Sequence, residues 1–296
     1  MRADSTGMTP PDRIRTIRTS SDQGRWEMAF CTPQPQLRPL VDFLVGYDES
    51  DTRFTRRHEL PGIQAVLIVN LGAPITIIDT AGHVLRIGSG QGFAGGLSEA
   101  YAVSESDGSQ RGLQVMFTPP GAFRFFRLPM HRLANRVFLL DEILGREAMD
   151  LIARLQEAPD WARRFDIMES VIAARLAEPS SAAASTAWAL RQLQQSGGRL
   201  PIAALADEIG CSRKHLAAQF RDHVGLAPKT VARILRFQEV IRLIDGMTAP
   251  DLAELAVAAG YYDQAHFSRD FRALAGLTPG EYLRRRLPGQ NGLPVG

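Results

Sequence analysis

The C-terminal third of the chain repeats itself at an offset of about fifty residues, and this restricts that part to a small set of folds. Ile202, Leu205, Ala206 and Ile209 occupy positions i, i+3, i+4 and i+7, and Gly210 follows. Leu252, Leu255, Ala256 and Ala259 repeat that pattern and Gly260 follows it. Such spacing places apolar groups on one helical face, with a glycine supplying the left-handed turn that ends the helix. The next segment repeats as well. Leu216 and Phe220 correspond to Phe267 and Phe271, His215 to His266, Arg221 to Arg272, Gly225-Leu226 to Gly276-Leu277, and Pro228 to Pro279. A short helix, a tight turn and a second helix, present twice, predict a tandem helix-turn-helix.

Ser212 and Asp263 stand at equivalent positions as N-caps of the second helix in each copy. With Leu216 and Phe220 turned inward, the opposite face of the first copy carries Lys214, Ala218 and Arg221, flanked by Arg213 and Ala217. The second copy shows Ala265, Arg269 and Arg272 there, flanked by Gln264 and Ser268. Arg, Lys and Gln on such a face are the groups that pair with guanine and adenine edges in a major groove. The candidate DNA contacts are therefore Ser212, Arg213, Lys214, His215 and Arg221, with Asp263, Gln264, His266, Ser268, Arg269 and Arg272. His215 and His266 lie on the flank of each helix and suit packing or phosphate contact equally.

Between the copies, Pro228 at N1 opens a helix running to Asp245-Gly246. Such a rod is roughly 27 Å long, and it can hold two recognition helices about 34 Å apart, one turn of B-DNA. Thr278-Pro-Gly-Glu281 is a capping box for a last helix ending in Arg284-Arg285-Arg286, which is either a phosphate clamp or a solvated end. The charge distribution agrees. Residues 185–296 carry 14 basic against 10 acidic residues, whereas residues 1–184 carry 20 against 22. The basic half is the one suited to a polyanion.

Residues 25–117 read as β structure. Gly62–Leu71, Pro74–Asp79, Val84–Ile87 and Gln114–Phe117 are short apolar runs separated by turn residues, which predicts a barrel or sandwich. Two amphipathic helices follow at about 143–177, joined at Ala158-Pro159, with Asp160 as an N-cap. They cover the β layer or form a dimer interface; periodicity leaves both open. Pro179–Ser185 is small and polar, a linker. The expected organisation is α+β with two domains: a leader over 1–24, a β-barrel-like sensing or dimerisation domain over 25–183, and a DNA-binding domain over 184–296.

Other chemistry is poorly supported. With 45% apolar and 22% charged residues the composition is that of a soluble globular protein. The longest apolar runs, about six to eight residues, are too short to span a bilayer, and the Arg-containing N-terminus lacks an apolar secretory core. A cytoplasmic location is expected. Gly90-Gln-Gly92-Phe-Ala-Gly95 has dinucleotide-binding spacing, but a strand-like stretch follows where a helix is required. His58, His83 and His131 lack metal-ligand spacing, and Cys31 and Cys211 are too few for a disulfide framework. Arg56-Arg57 beside Glu59 lines an anion pocket or forms surface pairs. The alternative reading, an enzyme or metal-dependent cupin-type β domain on a helical attachment module, lacks a clustered catalytic constellation. No cofactor, metal or catalytic residue is expected.

Residues 185–286 resemble the DNA-binding domain of the AraC/XylS family of bacterial transcription regulators. The resemblance rests on Arg236 through Gly260-Tyr261, His266-Phe267-Ser268-Arg269, Phe271-Arg272 and Gly276-Leu277-Thr278-Pro279. It implies seven helices with two helix-turn-helix units, Arg213 and Lys214 reading one groove of double-stranded DNA and Gln264 and Arg269 the next. Ala218 departs from the long polar residue often found in the family, so the first helix reads fewer bases. The N-terminal half more loosely resembles the family's cupin-like sensing domains through Leu60-Pro61-Gly62 and Pro129-Met130 to Arg136-Val137. The resemblance further implies a homodimer through that domain, a small-molecule effector of unspecified chemistry, and RNA polymerase as a partner.

Overall fold

The strands expected between residues 25 and 117 form two facing sheets in the computed structural model, which describes residues 13–21, 24–52, 55–177, 184–245, 251–285 and 293–294. In chain order the strands are β1 (Ile14–Ser21), β2 (Gly24–Cys31), β3 (Val41–Ser50), β4 (Arg56–Glu59), β5 (Ala65–Asn70), β6 (Ile75–Ile78), β7 (Val84–Ile87), β8 (Gln91–Gly95), β9 (Ala102–Glu105) and β10 (Gln110–Phe117). Helix α1 (Pro119–Phe126), strand β11 (Val137–Leu139) and helices α2 (Leu140–Leu144), α3 (Arg146–Glu157) and α4 (Trp161–Leu176) complete the first domain. The second contains α5 (Ala184–Gln195), α6 (Ile202–Ile209), α7 (Arg213–His223), α8 (Pro228–Asp245), α9 (Leu252–Ala258), α10 (Gln264–Ala275) and α11 (Pro279–Arg285). A two-residue strand, β12 (Leu293–Pro294), follows.

One sheet has the order β1-β2-β3-β10-β5-β8-β11 and the other β12-β4-β9-β6-β7. Side chains alternate between faces with period two. Leu67 and Val69 of β5 therefore point into one core, with Leu44, Leu113, Val115 and Phe117 and with Phe125, Leu151, Phe165, Met168 and Ile172 from the helices. Ile68 points the other way, toward Ile75, Ile77, Ile87 and Phe93 between the sheets. The α3–α4 pair thus covers the sheet, the first of the two roles left open by periodicity. The Asp160 side chain caps α4 by accepting from the Arg163 amide at 2.8 Å.

One expectation is corrected. The leader over 1–24 contains β1, which pairs antiparallel with β2 along its whole length, from Ile14 opposite Cys31 to Ser21 opposite Gly24. The polar Arg-Thr alternation of this strand hides it, because its side chains are exposed from Arg15 to Ser20. Residues 1–12, 22 and 23 of that leader lie outside the described residues. The Gly90–Gly95 run is a turn at Gly90 followed by strand β8, in keeping with its reading as glycines of a β domain. Most of the linker expected over 179–185 lies outside the described residues, as do Gly246 and Arg286. Among the described residues no helix is long and apolar enough to cross a membrane.

The first domain is closed by an ion pair under its edge. Glu169 of α4, its side chain fully buried, accepts both terminal nitrogens of Arg13 at 3.0 Å, and also the Gln34 amide and Nε2 at 2.8 and 3.0 Å. Four donors on one carboxylate offset the desolvation of the pair. The Arg13 guanidinium is held above its ordinary pKa chiefly by the Glu169 hydrogen bonds. Replacing Glu169 with Ala leaves the guanidinium buried and unpaired, which costs about 3–5 kcal/mol. A urea melt of the variant within about 1 kcal/mol of the parent would show that the pair holds nothing together.

Candidate nucleic-acid interface

The second domain is built around α8, against which both repeat units pack. Leu205, Leu216 and Phe220 of the first unit, Ile234 and Phe237 of α8, and Leu255, Phe267 and Phe271 of the second share one buried cluster. The apolar positions that define the repeat are therefore the inner faces of the helices. Gly210 and Gly260 take φ of +74° and +81° where the sequence places helix ends. The Ser212 hydroxyl accepts from the His215 amide at 3.1 Å, and the Asp263 carboxylate from the His266 amide at 2.6 Å. Both caps form. So does the last capping box: Glu281 accepts from the Thr278 amide and hydroxyl at 2.8 Å, and these bonds hold its carboxyl below the usual range.

The structure brings most of the candidate contacts to the surface. Ser212, Arg213, Lys214, His215 and Arg221 are exposed on α7 and its cap; Asp263, Gln264, Arg269 and Arg272 are exposed on α10 and its cap. His266 and Ser268 are half-buried. Among the described residues, none of Arg213, Lys214, Arg221 and Arg269 has an ion pair, so these cations are free for an external anion. His215 instead accepts from Gln219 at 3.0 Å, and His266 lies between the Tyr261 ring (5.3 Å between centroids) and the Asp270 carboxylate (3.6 Å). Of the two histidines, His266 is the one built into the packing.

Sequence reasoning missed the polar contacts that tie these elements together. Asp270 of α10 pairs with Arg233 of α8 at 3.2 Å. Arg236 donates to the Gly198 carbonyl at 3.0 Å with its guanidinium 5.6 Å from the Tyr261 ring, and Arg199 donates to the Ala258 carbonyl at 3.1 Å. The charge of Arg233 and Asp270 was visible in the sequence, but no spacing rule joins residues on different helices.

It also missed the seat of the whole domain. Gly225 and Gly276 end α7 and α10 at equivalent positions of the repeat, with φ of +103° and +74°. Each rests on the first domain. A Cβ on Gly276 would lie 2.4 Å from the Tyr101 ring, and the Nδ1–H of His58 donates to the adjacent Ala275 carbonyl at 2.9 Å. His58 itself stacks on Tyr101 at 4.0 Å. A Cβ on Gly225 would lie 3.1 Å from the Met130 carbonyl. Beside it His131 pairs with Asp222 at 3.2 Å, and His223 meets the Phe123 ring edge-on at 4.6 Å. Ile63 and Leu97 of the first domain complete the contact, buried in the helical cluster.

The three histidines weighed as metal ligands are thus dispersed: His58 and His131 face different recognition helices, and His83 sits at 3.0 Å from Asp79 in the turn between β6 and β7. Arg57 is paired with Glu49 and carries the neighbouring β4 edge, where burial opposes its charge and the Glu49 bond sustains it. Cys31 is buried, which pushes its thiol up to about 12, and Cys211 is half-buried in the first helix-turn-helix turn.

A capped pair of helices with a free basic face, present twice, defines a DNA-binding domain of the tandem helix-turn-helix class. Residues 205–285 match the family model described as a helix-turn-helix domain. Over 83 residues the chain is 37% identical to the HTH-type transcriptional regulator GlxA of Rhizobium meliloti, a match covering 28% of this chain and 25% of the relative. It is 32% identical over 87 residues to a putative AraC-like transcription regulator of Streptomyces antibioticus, covering 29% and 28%. The solved structure of ToxT from Vibrio cholerae aligns over 81% of this chain and 97% of that one, with 13% identity and a TM-score of 0.49. Residues 205–285 are thus a helix-turn-helix domain, similar to that of an AraC-like regulator. The match spans only about a quarter of the length of these curated relatives.

The seat of the domain is expected to respond to pH. Burial lowers the pKa of His58, helped by Arg56 and Arg285 and opposed by the Ala275 carbonyl; burial also lowers that of His223, opposed by Asp222. Undocked, both rings take up a proton at the ordinary value of about 6.5. Over the window below it the undocked state binds more protons, so docking is full above about pH 6.5 and weakens as the pH falls through the docked values. Hydrogen exchange of the α7 and α10 C-terminal turns is expected to rise between about pH 7.5 and 5.5, and in His58→Gln the α10 part of that rise should vanish. Exchange independent of pH would sink this reading.

Proposed function

We propose that the chain is a sequence-specific transcription regulator of the AraC/XylS type, which binds double-stranded DNA through α7 and α10 in two successive major grooves. The observation that carries this reading is the pair of equivalent capped helices whose outward Arg213, Lys214, Arg221 and Arg269 have no ion pair among the described residues. Phosphate contacts from the basic face position the domain, and side chains near the helix N-termini select bases. In the first unit Arg213, Lys214 and Arg221 do this work, because Ala218 stands where the second unit has Arg269. Gln264 and Arg269 are the base readers of the second.

The first domain, in this proposal, receives a small molecule or joins two copies of the chain, and in either role acts on the reading heads through the seats at Gly225 and Gly276. Such control requires a ligand to bind the docked and undocked arrangements with different affinity. RNA polymerase is the downstream partner this reading implies, and the cytoplasm the compartment; catalysis has no part in it.

Selection of genomic fragments by the full chain against excess random DNA tests the reading, with a two-box motif about one helical turn apart as the expected product. On a selected duplex, Arg269→Ala should cost about 1–3 kcal/mol and relax selectivity at one position. Lys214→Ala should likewise weaken the selected duplex more than random DNA and relax selectivity in the other box. Binding without sequence preference at every salt concentration would overturn the proposed function.

A further inference from the structure

Tyr262 is the most exposed large hydrophobic residue among those described, at 93%. Its neighbour Tyr261 is 5% exposed, packed on Phe267 and beneath Arg236. The fold therefore uses one of the two tyrosines and leaves the other in water. The repeat sharpens the contrast. The position equivalent to Tyr262 is Cys211, which is half-buried against the helical core. The caps differ in the same place: the first unit uses neutral Ser212, the second the carboxylate of Asp263.

The location of this turn fixes what it meets. In a docked helix-turn-helix the first helix crosses the sugar-phosphate backbone and the second enters the groove. The turn between α9 and α10 thus lies at the groove wall. There the first unit presents a neutral cap, whereas the Asp263 charge repels a phosphate. A neutral phenol beside it can approach the backbone and donate a hydrogen bond to a phosphate oxygen.

We infer that Tyr262 is a DNA-positioning residue: its hydroxyl donates to a backbone phosphate at the wall of the groove entered by α10. This rests on the proposed function and adds to it a contact that the first repeat unit lacks. Because the phenol is uncharged, it releases no condensed counterion, so it contributes affinity without salt dependence. That separates it from the arginines and lysines of the same face.

The test compares the full-length chain with Tyr262→Phe and Tyr262→Ala on a selected duplex and on a random duplex of equal length, across a salt series. Tyr262→Phe, which removes only the hydroxyl, should weaken both complexes by roughly ten-fold or more, the size of one hydrogen bond to a charged acceptor. The slope against salt and the thermal midpoint of the free protein should not move. Tyr262→Phe indistinguishable from the parent on both duplexes overturns the inference. So does a loss confined to the selected duplex, which would make Tyr262 a base reader, and so does an altered salt slope. Failure of the parent chain to prefer the selected duplex counts against the proposed function instead.

Discussion

The two C-terminal corners of the recognition helices, at Gly225 and Gly276, are held by one body, and the geometry of the DNA-binding face follows from that. Glycine is required at both corners. The backbone is left-handed there, and at Gly276 the Tyr101 ring occupies the space of a side chain. A chain built from a duplicated unit has two such corners in register with one another. The first domain meets them with different tools: a histidine-tyrosine stack at α10, and a backbone carbonyl with an ion pair at α7. The N-terminal ends of both helices, where the exposed Arg213, Lys214 and Gln264 lie, are left facing outward.

The helical domain was legible in the sequence because each of its signals is local. Caps, helix-ending glycines and i, i+3, i+4 faces involve residues within one or two turns of each other, and Ser212, Asp263, Gly210 and Gly260 take the parts their spacing implies. The first domain was less legible for the opposite reason. β1 carries an Arg-Thr pattern whose strand character comes from pairing with β2, and Arg13 gains its role from Glu169, 156 residues away. His58 was conspicuous as an isolated histidine, yet its partners Tyr101 and Ala275 are distant in sequence, so its place under α10 had no signature. Long-range contacts between dissimilar residues leave no period to read.

The two reading heads are alike in fold and unequal in reach. Inner faces are conserved across the repeat, Leu216 and Phe220 against Phe267 and Phe271, because both must pack on the same central helix. Outer faces have no such constraint, and Ala218 and Arg269 occupy equivalent positions there. The two units share the parts that bury surface and differ in the parts that meet solvent.

The return of the chain to its first domain has a mechanical meaning. The polypeptide leaves α11 at Arg285 and is again in a sheet at Leu293-Pro294, paired with His58 and Arg57 of β4. The helical domain is thus moored at both ends of its own sequence, like a hammock, and does not hang from a single linker. Displacing that body therefore has to break the strand pairing at β4 as well as the seats at Gly225 and Gly276.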